Sequence, residues 1–95
     1  MDRISEVMDK ILEAINEEAD KRKPNFGAID SARARIAGDG HSFFVAILRL
    51  ENEGYLTGIE TIPKYADEDT VRIAWLREDV ILHNKAKKRL DEILG

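Results

Sequence analysis

The sequence predicts an α+β domain in which three helices precede a two-stranded hairpin and a further helix closes the chain. Three observations carry this. Apolar residues recur at helical spacing from Ile4 to Ile15, a glycine-containing break at Gly38-Asp39-Gly40 separates two more helical stretches, and from Tyr55 the period switches from helical to alternating.

In the first helix, Ile4, Val7, Met8, Ile11, Leu12 and Ile15 fall on one stripe. Asp2 is placed to cap its start and Glu6 sits in the first turn, where a carboxylate suits the helix dipole. Lys21, Arg22 and Lys23 suit its far end, and Pro24 forces a stop, so the expected span is residues 3–21. A short second helix is expected over residues 28–37, with Ala28, Ile29, Ala32 and Ile36 on one face. Asp39 then caps a third helix through Phe43, Phe44, Ile47, Leu48 and Leu50, which Gly54 ends in the left-handed C′ position. Residues 55–62, rich in β-branched side chains, read as a strand, residues 63–70 as a polar loop, and residues 71–76 as a second strand. Leu82, Ala86, Leu90, Ile93 and Leu94 mark the closing helix, which is expected to pack on the first helix or on a second copy of the chain. Helix, tight turn, helix, hairpin and closing helix is the layout of a winged helix-turn-helix.

The 95 residues suffice for one domain, residues 1–95. With 43% apolar residues the chain has the composition of a folded domain. It contains no cysteine, which excludes disulfides and thiolate metal sites. The longest apolar run, Phe43 to Leu48, is too short to span a bilayer, and the first residues carry no apolar signal region, so no membrane contact and a cytoplasmic location are expected. The net charge of −4, from 15 basic and 19 acidic residues, disfavours non-specific attraction to DNA.

Nothing in the sequence assembles a catalytic acid, base and oxyanion site, and neither an enzyme nor a cofactor is expected. His41 and His83 lack metal-ligand spacing, and Gly38-Asp39-Gly40 lacks the remainder of a phosphate loop. Binding is the remaining class. On the third helix, setting Phe43, Phe44, Ile47, Leu50 and Glu51 inward turns Ser42, Val45, Arg49 and Glu53 outward, flanked by Ala46 and Asn52. Ser42, Val45, Arg49 and Asn52 are therefore candidate contacts for double-stranded DNA or for a protein, joined by Lys64 and Tyr65 on the loop. Arg49 suits a guanine edge, but a surface pair with Glu53 one turn on is the favoured reading. Val45 and Ala46, if exposed, suit a protein better than a groove. Beside Lys64 the loop carries Asp67, Glu68 and Asp69, which a phosphate backbone would repel. Arg33 and Arg35 cannot point the same way on a helix, and Lys85, Lys87, Lys88 and Arg89 line the closing helix. Trp75 is expected to pack the sheet onto the helices.

Leu50-Glu51-Asn52-Glu53-Gly54-Tyr55-Leu56-Thr57-Gly58-Ile59 resembles the junction between recognition helix and wing, written L-x-x-E-G-hydrophobic-hydrophobic-x-G. Leu82-His83-Asn84-Lys85-Ala86 through Leu90 resembles the closing segment L-T-x-K-G-x-x-x-L, with His83 and Ala86 where Thr and Gly are usual. Over residues 4–94 the layout is similar to that of the YjcQ-like proteins, small winged-helix proteins of Gram-positive bacteria and their prophages. The resemblance implies a winged helix and a phage-associated or bacterial setting. It implies DNA binding or transcriptional regulation only through the fold, with a protein–protein interaction module as the alternative. Monomer and homodimer are both open.

Overall fold

The apolar stripe of the first helix is the base on which the other helices pack. In a computed structural model, which describes residues 2–62 and 73–95, the chain forms α1 (Arg3–Ala19), α2 (Gly27–Ser31), α3 (Arg33–Ala37), α4 (Gly40–Asn52), β1 (Leu56–Ile62), β2 (Ile73–Leu82) and α5 (Asn84–Leu94). Among the described residues the architecture is thus α+β, five helices and one two-stranded antiparallel sheet.

α1 buries Val7, Met8, Ile11, Leu12 and Ile15 as its periodicity requires. Asp2 caps it, its carboxylate accepting from the Ser5 N–H at 2.8 Å. The helix ends at Ala19, earlier than residue 21 and five positions before Pro24. Lys21, Arg22 and Lys23 therefore lie beyond its last turn. The cause is Glu18, whose carboxylate accepts from the Asn25 N–H at 2.8 Å and from Lys21 Nζ at 2.9 Å, folding the chain back on itself.

The expected second helix is two helices. Ala32 sits off helical geometry at φ −96°, ψ 10°, separating α2 from α3. Each half follows its own tertiary contact: α2 lies against β2, and α3 lies on α4. The turn into α4 is tied at both sides. Asp39 caps α4 through the Ser42 N–H at 2.7 Å, while Arg3 Nη2 donates to Ala37 O at 2.8 Å and to Asp39 at 3.1 Å. α4 closes with paired bonds, Tyr55 N–H to Leu50 O and Gly54 N–H to Glu51 O, around Gly54 at φ +82°. Tyr55 thus belongs to the cap, and β1 begins at Leu56.

β2 runs to Leu82, well past residue 76. The register explains why alternation did not reveal it. Ile59 pairs with Leu76 and Thr57 with Ile81, so residues 77–80 bulge opposite Gly58 alone. Gly58 has φ +109°, and a Cβ there would stand 2.5 Å from Val80 Cα. Arg77 Nε meets Asp79 at 3.1 Å inside the bulge.

One apolar cluster joins α1, α4, the inner face of the hairpin through Leu56, Ala74 and Leu76, and α5 through Ala86 and Leu90. α5 packs on α1. Its Arg89 grips Asp9 with two bonds, Nε to Oδ1 at 3.0 Å and Nη2 to Oδ2 at 2.8 Å.

Two of the three glycines at positive φ, Gly54 and Gly58, should differ on substitution. Gly54 has open space where a Cβ would go, so Gly54→Ala should cost about 1 kcal/mol, the left-handed penalty alone. Gly58→Ala adds a collision with backbone and should cost about 3 kcal/mol. Denaturant melts of the two variants check the order.

Candidate interaction surface

α4 is the helix that a winged-helix reading would present to a ligand. Here it is enclosed on most sides. Ser42, Phe43, Ala46, Ile47, Leu48 and Leu50 are buried, and at 100° per residue they span well over half of its circumference. The strip left open runs through His41, Val45 and Asn52, with Arg49 at its edge.

Two expected outward positions are therefore corrected. Ser42 is buried because its hydroxyl donates to Asp39 at 3.0 Å, completing the cap. Ala46 is fully buried in the core cluster. Val45 is half-buried and Asn52 exposed, as a contact residue requires. Lys64 and Tyr65, with Asp67, Glu68 and Asp69, lie outside the described residues.

Arg49 is half-buried and faces a cleft of about 620 Å³ between the start of α1, the end of α4 and α5. Asp2, Asp9, Glu53, Lys85 and Lys88 also line it. The Asp2 carboxyl is held below its ordinary range mainly by the Ser5 N–H, and the Arg49 charge adds to the effect. Lys85 lies 4.4 Å above the Tyr55 ring and donates to Glu53 O at 2.7 Å, so α5 caps the carbonyl end of α4. Arg89 also reaches Glu92 at 3.2 Å. The bonds to Asp9 and Glu92 hold its guanidinium ionised more firmly than usual. Two of the four cations that line α5, Lys85 and Arg89, are thus engaged within the chain. Arg33 and Arg35 do diverge: Arg33 lies 5.5 Å from the Phe44 ring centre, and Arg35 lines a crevice with Glu13 and Glu17 of α1.

The hairpin presents the second surface. Ala74 and Leu76 are buried on its inner face, so the alternation of the strand puts Ile73 and Trp75 on the outer one. Their register partners there are Ile62 and Glu60. Trp75 is half-buried, and instead of packing the sheet on the helices it lines a cleft of about 670 Å³ with Asn25, Asp30, Arg77, Glu78 and Asp79. Both strands are edges, and at the Ile59–Leu76 pair each N–H is taken by a helix carboxylate. Glu51 of α4 accepts from Ile59 at 3.1 Å, and Asp30 of α2 accepts from Leu76 at 3.1 Å on both oxygens. Burial pushes the Asp30 carboxyl up to about 6, against the opposing pull of the Leu76 N–H and the Arg33 charge.

The outer pair Ile62–Ile73 was missed in the sequence because each residue read as an ordinary strand position. The available signal was their place on either side of the loop, where register pairing makes them neighbours. Among the described residues, no group of three or more histidines and carboxylates could hold a metal ion, and no helix is long and apolar enough to cross a membrane. Comparison with family models, curated proteins and solved structures gives no match to this chain.

Asp30 gives a pH dependence of definite sign. Its folded value lies above the ordinary 3.8, so its favourable contribution is complete below about pH 4 and is lost as pH rises through about 6. Asp30→Asn keeps an acceptor for Leu76 without that loss. Relative to wild type, the variant should gain stability between pH 4.5 and pH 7.5, read from urea melts at the two pH values. An unchanged difference would exclude a buried charge at this position.

Proposed function

We propose that the chain is a winged helix-turn-helix domain that acts by binding, without a catalytic centre, and that its partner is a protein. The element order supports the winged-helix reading: α2 and α3 together supply the helix before the turn, α4 the helix after it, and β1 and β2 the wing. The resemblance to YjcQ-like proteins, the phage-like or bacterial setting it implies, and the cytoplasmic location expected from the sequence belong to the same proposal.

The observation that carries the choice of partner is the enclosure of α4. A helix that reads base edges must enter the major groove with several donors pointing outward. The open strip of α4 offers His41, Val45 and Asn52, and its one arginine turns toward a cleft that also holds Asp2 and Glu53. A half-exposed valine beside a polar rim suits a protein surface.

DNA binding is the second reading, favoured by one observation: Arg33, stacked on Phe44, and Arg49 stand on opposite flanks of the open strip, where phosphates would lie. A titration with random-sequence duplex DNA at several low salt concentrations separates the two. Under the proposal no binding develops, and Arg49→Ala changes nothing. Binding that weakens steeply with salt and is reduced by Arg49→Ala would establish phosphate contacts and replace the protein reading with the DNA one.

A further inference from the structure

The outer face of the hairpin is apolar where solvent meets it. Ile62 is 52% exposed and Ile73 46%, and the register sets them side by side. Trp75 continues the patch along β2, and its register partner Glu60 bounds it. Neighbouring apolar side chains held open to water on a rigid pair of strands are a mark of contact surfaces.

The manner of contact is restricted by the edges. A partner strand could extend the sheet only by bonding to free backbone groups. At the Ile59–Leu76 pair those N–H groups are occupied by Glu51 and Asp30. Strand addition is thus blocked at this pair, which leaves the side chains of the face as the contact there.

Charge sets its chemistry. Among the described residues, the cleft beside Trp75 is lined by Asp30, Glu78 and Asp79 against Arg77, with Glu60 opposite Trp75 in the register and Arg33 acting on Asp30 from behind. Arg77 is already shared between Glu60 at 3.5 Å and Asp79 at 3.1 Å. Carboxylates outnumber the cations, and the half-exposed indole adds a surface that favours a cation at its face. The cleft by α5 has no comparable imbalance, since Asp9 and Arg89 pair within it and Lys85 is bonded to α4.

We propose that the outer hairpin face, formed by Ile62, Ile73 and Trp75, docks a segment of a protein partner that alternates apolar and basic residues. The inference rests on the protein-binding reading above and adds the surface and the kind of partner. Apolar side chains of the segment cover Ile62 and Ile73, while its lysines or arginines reach Trp75 and the carboxylates beside it.

The test uses the full chain and two short synthetic peptides, one alternating leucine with lysine and the other leucine with glutamate. Binding is read from the emission of Trp75, the only tryptophan, and from the isoleucine methyl resonances. The lysine peptide should shift the emission and move the Ile62 and Ile73 methyls, with an affinity that falls as salt rises. Ile73→Ser and Ile62→Ser, both at solvent-facing positions, should each weaken it about tenfold. The glutamate peptide should do neither. Silence toward the lysine peptide, equal binding of the two peptides, or indifference to both substitutions would overturn the proposal. Movement of Val45 and Asn52 resonances in place of the isoleucines would overturn it while leaving a protein-binding domain. Duplex DNA moving Ile62 and Ile73 would overturn both readings.

Discussion

A sheet of two strands has no interior, and the structure is arranged around that constraint. Among the described residues each strand of the hairpin has one side with no strand neighbour, and an isolated pair of strands is marginal in water. The inner face is secured by ordinary burial of Ala74 and Leu76 against the helices. The edges need something else. Glu51 reaches from α4 to one and Asp30 from α2 to the other, meeting the same cross-strand pair. The break at Ala32 serves this arrangement. A continuous helix over residues 27–37 would have one axis, whereas α2 has to follow β2 and α3 has to follow α4.

The acid excess of the chain acquires a different meaning from these bonds. Asp2, Glu18, Asp30, Asp39 and Glu51 each accept a hydrogen bond from a backbone N–H. Three of these bonds start a helix or turn the chain after one, and two seal the hairpin. Bonds of this kind hold Asp2, Glu18 and Asp39 below the ordinary carboxylate range, with Lys21 making the largest contribution at Glu18 and the Ser42 N–H at Asp39. Asp30 goes the other way because burial outweighs its bond. Part of the net negative charge is therefore structural.

Features that depend on local chemistry were legible in the sequence. The stripe of α1, the Asp2 and Asp39 caps and the left-handed Gly54 all follow from residues within a turn of one another. Features set by distant partners were not. Ala32 is a good helix former, and no neighbour in sequence signals the break. Arg77-Glu78-Asp79 reads as a polar loop because a bulge has no alternation, and only the pairing of Thr57 with Ile81 shows it to be strand. The contact face of α4 was displaced for a related reason. Polarity placed Ser42 outward, but its hydroxyl is taken by Asp39, and the open strip is rotated toward His41 and Asn52.

The bonds between Arg89 and Asp9 join positions 80 residues apart. Closing so long a loop costs little more than closing one half its length, because the entropy grows only with the logarithm of length. The same pair closes nearly the whole described chain into one loop. α5 is fastened at two points, by Arg89 to α1 and by Lys85 to the end of α4. α5 is thus a clasp that ties α1, the end of α4 and the hairpin into one body.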